Sequence, residues 1–216
     1  MGYCHHWQGF FDGDPATFTA IRADFEKLIL PLADAGCFLA GPSGTGLPEI
    51  TEDYIAFNGL RHCGHESVEG PVVVYPAETA NGIATGTNKL MQAGFLAFTT
   101  SRRCDGHCCH DSFVLRKRPG MEFVKTAFKP YDLAVTAALL IAKRYWGEQI
   151  EIRTDGAEAQ WSDAKRLCQA HLGYGDSFRI VSNDFWGPVL EERDSQAEKT
   201  PPHSEFVKLR NGRLAK

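Results

Sequence analysis

The stretch that most constrains the fold is Phe123–Gly147, FVKTAFKPYDLAVTAALLIAKRYWG. Phe123–Phe128 has strand character, with Val124, Thr126 and Phe128 on one face and Phe123, Lys125 and Ala127 on the other. Pro130 suits the first position of a helix, and Asp132 places a negative charge where the helix dipole favours one. From Leu133 to Trp146 the apolar residues run almost all the way round, so this helix needs cover on most sides and is expected at the centre of the fold. Lys143 and Arg144 in the last turn and Gly147 beyond it are stop signals.

The start of that helix is also the expected ligand site. A helix N-terminus offers backbone N–H groups and a positive dipole end to anions. Lys125, Thr126, Lys129 and Tyr131 crowd this junction. If the strand stays extended to Pro130, alternation puts Lys125 and Lys129 on the same side. The ligand expected there is a small phosphorylated, nucleotide-like molecule. Solvated lysines and a packed Tyr131 are the plain alternative.

The chain has 216 residues, 43% of them apolar and 23% charged, which suits one globular domain with a sizeable core. A net charge of −4 argues against non-specific nucleic-acid binding. No run of 18 apolar residues is present, and the first residues, MGYCHHWQGFFDGD, lack the basic and apolar regions of a signal peptide. The expected location is therefore the cytoplasm, with no membrane partner. Seven cysteines, an odd number, then favour free thiols or metal ligands over disulfides.

Strand signals lie at Gly2–Gln8, Tyr54–Leu60, Val68–Tyr75, Gly94–Thr100, Ser112–Arg118, Gln149–Arg153 and Ser177–Val181. Asp14-Pro15 opens an amphipathic helix that Gly36 ends, with Pro31 placed to kink its last turn. Ala159–Leu172 makes a third helix, closed by Gly173. Ala40–Pro48 is a glycine-rich surface loop without the ending of a phosphate-binding P-loop. Ala77–Gln92 is a polar excursion. This order implies an α+β fold: one domain over residues 1–190, a mostly antiparallel sheet covered by about three helices, and a polar tail over 191–216.

A short internal echo carries the metal-ligand chemistry. His62-Cys63-Gly64-His65-Glu66-Ser67-Val68 and His107-Cys108-Cys109-His110-Asp111-Ser112-Phe113 share the pattern H-C-x-H-[ED]-S-[VF], each copy before a strand signal. Cys104 lies just upstream of the second copy, and Cys4-His5-His6 adds a third group. Zinc takes four thiolate or imidazole ligands. Cys63, Cys104, Cys108 and His110 are the candidate set, for a structural zinc. The bland reading has these residues capping turns or packing as small apolar groups. Glu66 and Asp111 are the candidate bases should the site be catalytic instead. The adjacent pair Cys109 and His110 is poorly placed for a nucleophile and its base.

MGYCHHW, YIAFNG, CDGHCCHDSF, FVKTAFKPYDLAV, IRTDG and LCQAHLGYG, spread over residues 1–180, together resemble an uncharacterised family of small phage and bacterial proteins. That family opens with Met-Gly-Tyr and carries an F-x-K-T-A-x-K-P-Y-D-L-A-V stretch. The resemblance transfers no catalytic residue. It implies a phage accessory protein acting in the host cytoplasm, where such proteins counter host defence, some by sequestering nucleotide signals. Three functions are therefore expected to compete. The first is a binding module for a phosphorylated, nucleotide-like ligand. The second is a metal-dependent phosphoesterase or nuclease using Glu66, Asp111 and the His pairs. The third is an inhibitor of a host protein whose tail orders on its partner; a homo-oligomer is also compatible.

Overall fold

The computed structural model describes residues 3–10, 14–65, 72–75, 102–182 and 187–193, without the side chains of 72–75. The expectations for Gly94–Thr100, Ala77–Gln92, Glu66 and the tail beyond 193 lie outside these residues. The fold is α+β with antiparallel sheets and three helices among the described residues. The strands are β1 (Cys4–Gly9), β2 (Leu39–Ala40), β3 (Glu49–Ile50), β4 (Tyr54–Gly59), β5 (Val72–Tyr75), β6 (Arg102–Cys104), β7 (Phe113–Arg116), β8 (Gly120–Lys125), β9 (Ile150–Thr154), β10 (Phe178–Val181) and β11 (Val189–Glu192). The helices are α1 (Pro15–Asp34), α2 (Asp132–Trp146) and α3 (Glu158–Leu172). β11 runs two residues past the expected domain boundary, and no helix among the described residues is long and apolar enough to cross a membrane.

The main sheet has the order β10-β11-β9-β1-β8, all antiparallel. Alternation turns His5, Trp7, Val124, Ile150 and Ile152 inward and leaves His6, Gln8, Met121, Phe123 and Glu151 on an open face. α2 fills the layer beneath. Every residue from Asp132 to Lys143 is buried, and its alanines (Ala134, Ala137, Ala138, Ala142) leave room for α1 and α3 to pack closely on either side. Asp24 of α1 ties the layer together, accepting hydrogen bonds from Tyr145 and Tyr174, both at 2.8 Å. The second sheet is centred on β4, which pairs with β2, β3 and β7. It joins the core through rings: Phe57 packs on Phe25 and Phe113, and Phe113 on Trp7.

A charged network sits inside this core. Asp132, at the first turn of α2, accepts from His5 Nε2 (3.0 Å), Thr126 Oγ1 (2.7 Å) and Arg102 Nε (3.2 Å). Arg102 also donates to Asp163 of α3 at 3.0 Å, and Thr154 bonds His5 Nδ1 at 3.1 Å. Asp132, Arg102, Asp163 and His5 are all fully buried. Burial alone would raise the Asp132 pKa, but the His5 bond, the Arg102 charge and the Thr126 hydroxyl outweigh it and leave the carboxyl below its ordinary value. A depressed carboxyl contributes stability above its unfolded pKa of about 4 and loses it as pH falls through the folded value. The denaturation midpoint should therefore fall steeply below about pH 4. At neutral pH, Arg102→Met removes the cation shared by two buried carboxylates and should cost about 3–5 kcal/mol, read by urea denaturation.

Candidate functional site

The loops that follow β4 and β6 meet at one end of the second sheet. Leu60 accepts from the Cys108 N–H at 2.9 Å, and Asn58, nearly fully buried, holds both sides. Its amide donates to the Pro42 and His110 carbonyls at 3.1 and 2.8 Å and accepts from the His110 N–H at 3.0 Å. Gly59 lies against this join: a Cβ there would stand 2.1 Å from the Cys108 carbonyl oxygen, so only glycine fits. The glycine-rich loop Ala40–Pro48 is a buttress, with Gly44 packed against the Cβ atoms of Arg61 and Cys109.

Here Cys63, His65, Cys104 and Cys108 converge, their ligand atoms all within 4.8 Å of one another. Cys63 and Cys104 sulfurs are 3.2 Å apart, and His65 Nδ1 is 3.3 Å from the Cys108 sulfur. Zinc bonds of about 2.3 Å to sulfur and 2.0 Å to nitrogen place tetrahedral ligands roughly 3.3–3.8 Å apart, so these four atoms could hold a metal ion with small adjustments. Cys104 and Cys108 are buried, and Cys63 and His65 are partly so. Burial lowers the His65 pKa, which keeps the imidazole neutral as a ligand must be. Burial raises the Cys63 thiol, but the His65 backbone N–H and the Cys104 and Cys108 sulfurs more than offset it, leaving Cys63 below the ordinary thiol value. Cys104 is pushed up first by burial and then by the Cys63 sulfur, with the Cys108 sulfur acting the other way, and Cys108 is pushed up by burial and then by the Cys104 and Cys63 sulfurs.

Three of the four expected ligands belong to this group; the fourth is His65, not His110. The reason is backbone handedness. Gly64 takes φ +73°, folding Cys63 and His65 back toward one centre. The equivalent position in the second copy is Cys109, which stays at negative φ, and His110 is carried out to Asp111, 3.2 Å from its carboxylate. Gly106, at φ +93°, lets the chain turn between Cys104 and Cys108 instead. The contrast between Gly64 and Cys109 was the signal available in the sequence. Cys109 has His107, not His110, as its imidazole neighbour, at 3.6 Å.

The residues of the expected anion site do not share an open site. β8 ends at Lys125, and Ala127 and Phe128 take left-handed φ of 51° and 57°, so the chain turns where extension to Pro130 was expected. The N–H groups of Asp132, Leu133 and Ala134 are met by the carbonyls of Lys129, Pro130 and Tyr131 at 3.0–3.3 Å, and Asp132 supplies the anion at this helix end from within. Thr126 is buried on Asp132, and Tyr131 is buried with its hydroxyl donating to the Asp111 carbonyl at 2.7 Å. Lys129 is buried in the turn between Cys104 and Cys108, bonded to the Asp105 carboxylate and, at 2.9 Å, the His107 carbonyl. Burial lowers its pKa, while the Cys104 and Cys63 sulfurs act the other way. Lys125 alone stays partly exposed, on the open sheet face.

No protein-family model, curated protein or solved structure matches the chain. The backbone contact at Gly59 gives a test of the centre's architecture. Gly59→Ala must displace the Cys108 peptide and should cost about 1–3 kcal/mol in thermal unfolding. Gly120→Ala, where a methyl group meets nothing within 4 Å, should leave stability unchanged.

Proposed function

We propose that the protein is a zinc-stabilised binding module and not a hydrolase. The observation that carries this reading is the gathering of three thiols and one imidazole, drawn from two loops, into a single four-ligand group. Zinc there would be held by Cys63, His65, Cys104 and Cys108, a closed set of the structural kind, whereas catalytic zinc keeps one position open. When bound, the metal supplies folding energy by cross-linking the two loops. The chain's own residues complete the centre: Lys129 offsets the negative charge of three thiolates, and Asn58 fixes the loops' relative height. Among the described residues, the nearby carboxylates suit no base. Asp105 is engaged by Lys129, and Asp111 by its own loop and β8. A small phosphorylated, nucleotide-like ligand would be retained unchanged, the sequestering role that the resemblance to phage proteins implies.

Protein prepared without a polyhistidine tag should contain about one zinc per chain by elemental analysis. His65→Ala and Cys104→Ala should each release it and lower the melting temperature, whereas His110→Ala should retain it. A metal-free protein with unchanged melting temperature overturns the proposal, as does full zinc retention by His65→Ala.

A further inference from the structure

The open face of the main sheet carries an ordered row of side chains unrelated to the metal centre. His6 of β1 stands opposite Phe123 of β8 and opposite Arg153 of β9. Three side chains therefore line up across three adjacent strands. The His6 and Phe123 rings are 5.9 Å apart and inclined by only 25°. One row further, Gln8 lies between Met121 and Glu151; one row back, Cys4 pairs with Lys125. Phe123 is 64% and Met121 74% exposed, large apolar side chains left uncovered on a regular strand. A groove of about 1010 Å³ runs along the β1–β9 side of this face, lined by His6, Gln8, Phe128, Glu151, Arg153 and Asp155 among others, with Phe123 and Lys125 outside its lining on β8. At its end Phe128 stacks on Tyr3, rings 4.0 Å apart, held there by the left-handed Ala127-Phe128 pair. Left-handed backbone at two successive non-glycine residues is costly, and the cost is spent on presenting a ring to the groove.

We propose that this face binds the nucleobase of a phosphorylated nucleotide, with the phosphate on the β8 side. The proposal rests on the binding-module reading above and supplies its site. Exposed rings on adjacent strands form a stacking platform, because every base offers a π-face. The Gln8 amide, one row away, can donate to and accept from a base edge. Charge fixes the orientation. Arg153 is already paired with Glu151 at 2.5 Å, and Asp155 accepts from the Cys4 N–H, so the β9 flank holds two carboxylates to one cation. On the β8 flank the Asp111 carboxylate accepts from the Lys125 N–H at 3.3 Å and is paired with His110. Lys125 has no carboxylate paired with its ammonium group among the described residues, and it lies beside Phe123's face of β8. The same chemistry is offered by a free nucleotide or by one unit of a single strand.

The test is titration of zinc-loaded protein with AMP, adenosine and an adenine decamer, followed by calorimetry and the Met121 methyl resonance. AMP should shift that resonance. Phe123→Ala should weaken AMP and adenosine alike by about tenfold or more, and Lys125→Gln should weaken AMP but not adenosine. Both side chains are at least partly exposed, so neither variant should lower the melting temperature. A decamer that binds more tightly than AMP assigns the ligand to a strand, and one that does not assigns it to a free nucleotide. An unmoved Met121 resonance at millimolar AMP, or unchanged AMP affinity in Phe123→Ala, overturns the proposal. Zinc content measured on the same samples separates that failure from a failure of the metal reading.

Discussion

The Asp132 carboxylate, sealed between Arg102, His5 and Thr126, is the interaction on which the other parts depend. An ion pair taken fully out of water is sustained only if its remaining lone pairs and protons find partners, and here each partner comes from a different element. His5 brings β1, Arg102 brings β6, Thr126 brings the end of β8, and Asp163, through Arg102, brings α3. The network therefore fixes how strands and helices sit relative to one another, a specificity that apolar packing alone leaves looser. Its reach extends to the Cys/His cluster through β6. Arg102 and Cys104 alternate onto the same buried face of that strand, so anchoring one side chain in the core sets the position of the other among the thiols.

The two chemistries of the molecule are separated by the same geometry. Thiols and Lys129 gather at the far end of the second sheet, closed off from solvent on most sides. The open face of the main sheet holds rings, an amide and Lys125. Lys125 and Lys129 are four residues apart in the chain, yet the left-handed turn at Ala127-Phe128 sends them to different places: one to the sheet surface, the other into the turn between Cys104 and Cys108. One lysine becomes part of the architecture, and the other stays partly exposed on the sheet surface.

What could be read from the sequence follows from how local each cause is. α2 was legible because apolar residues all round a helix admit only a central position, and α1 because Asp14 caps it and Pro15 opens it. Three of the four residues in the metal group were legible from residue type and spacing. The choice of His65 over His110 turned on one glycine. The end of β8 was not legible, since Ala127 and Phe128 carry no sign of left-handed backbone. Nor was the burial of Arg102, whose partners lie 30 and 61 residues further along the chain. A charge is buried because of what meets it, and that is a property of the assembled fold.

The metal group also has a consequence for chain topology. Cys63 and Cys104 are 41 positions apart, so joining them pins the two ends of a long excursion at one point. The entropy of closing such a loop grows only logarithmically, by about 0.6 kcal/mol for each doubling of its length. Lengthening the four-residue step from Cys104 to Cys108 would be felt at once. Natural variation in length, where it occurs in chains of this kind, has almost no room inside the Cys104–Cys108 turn.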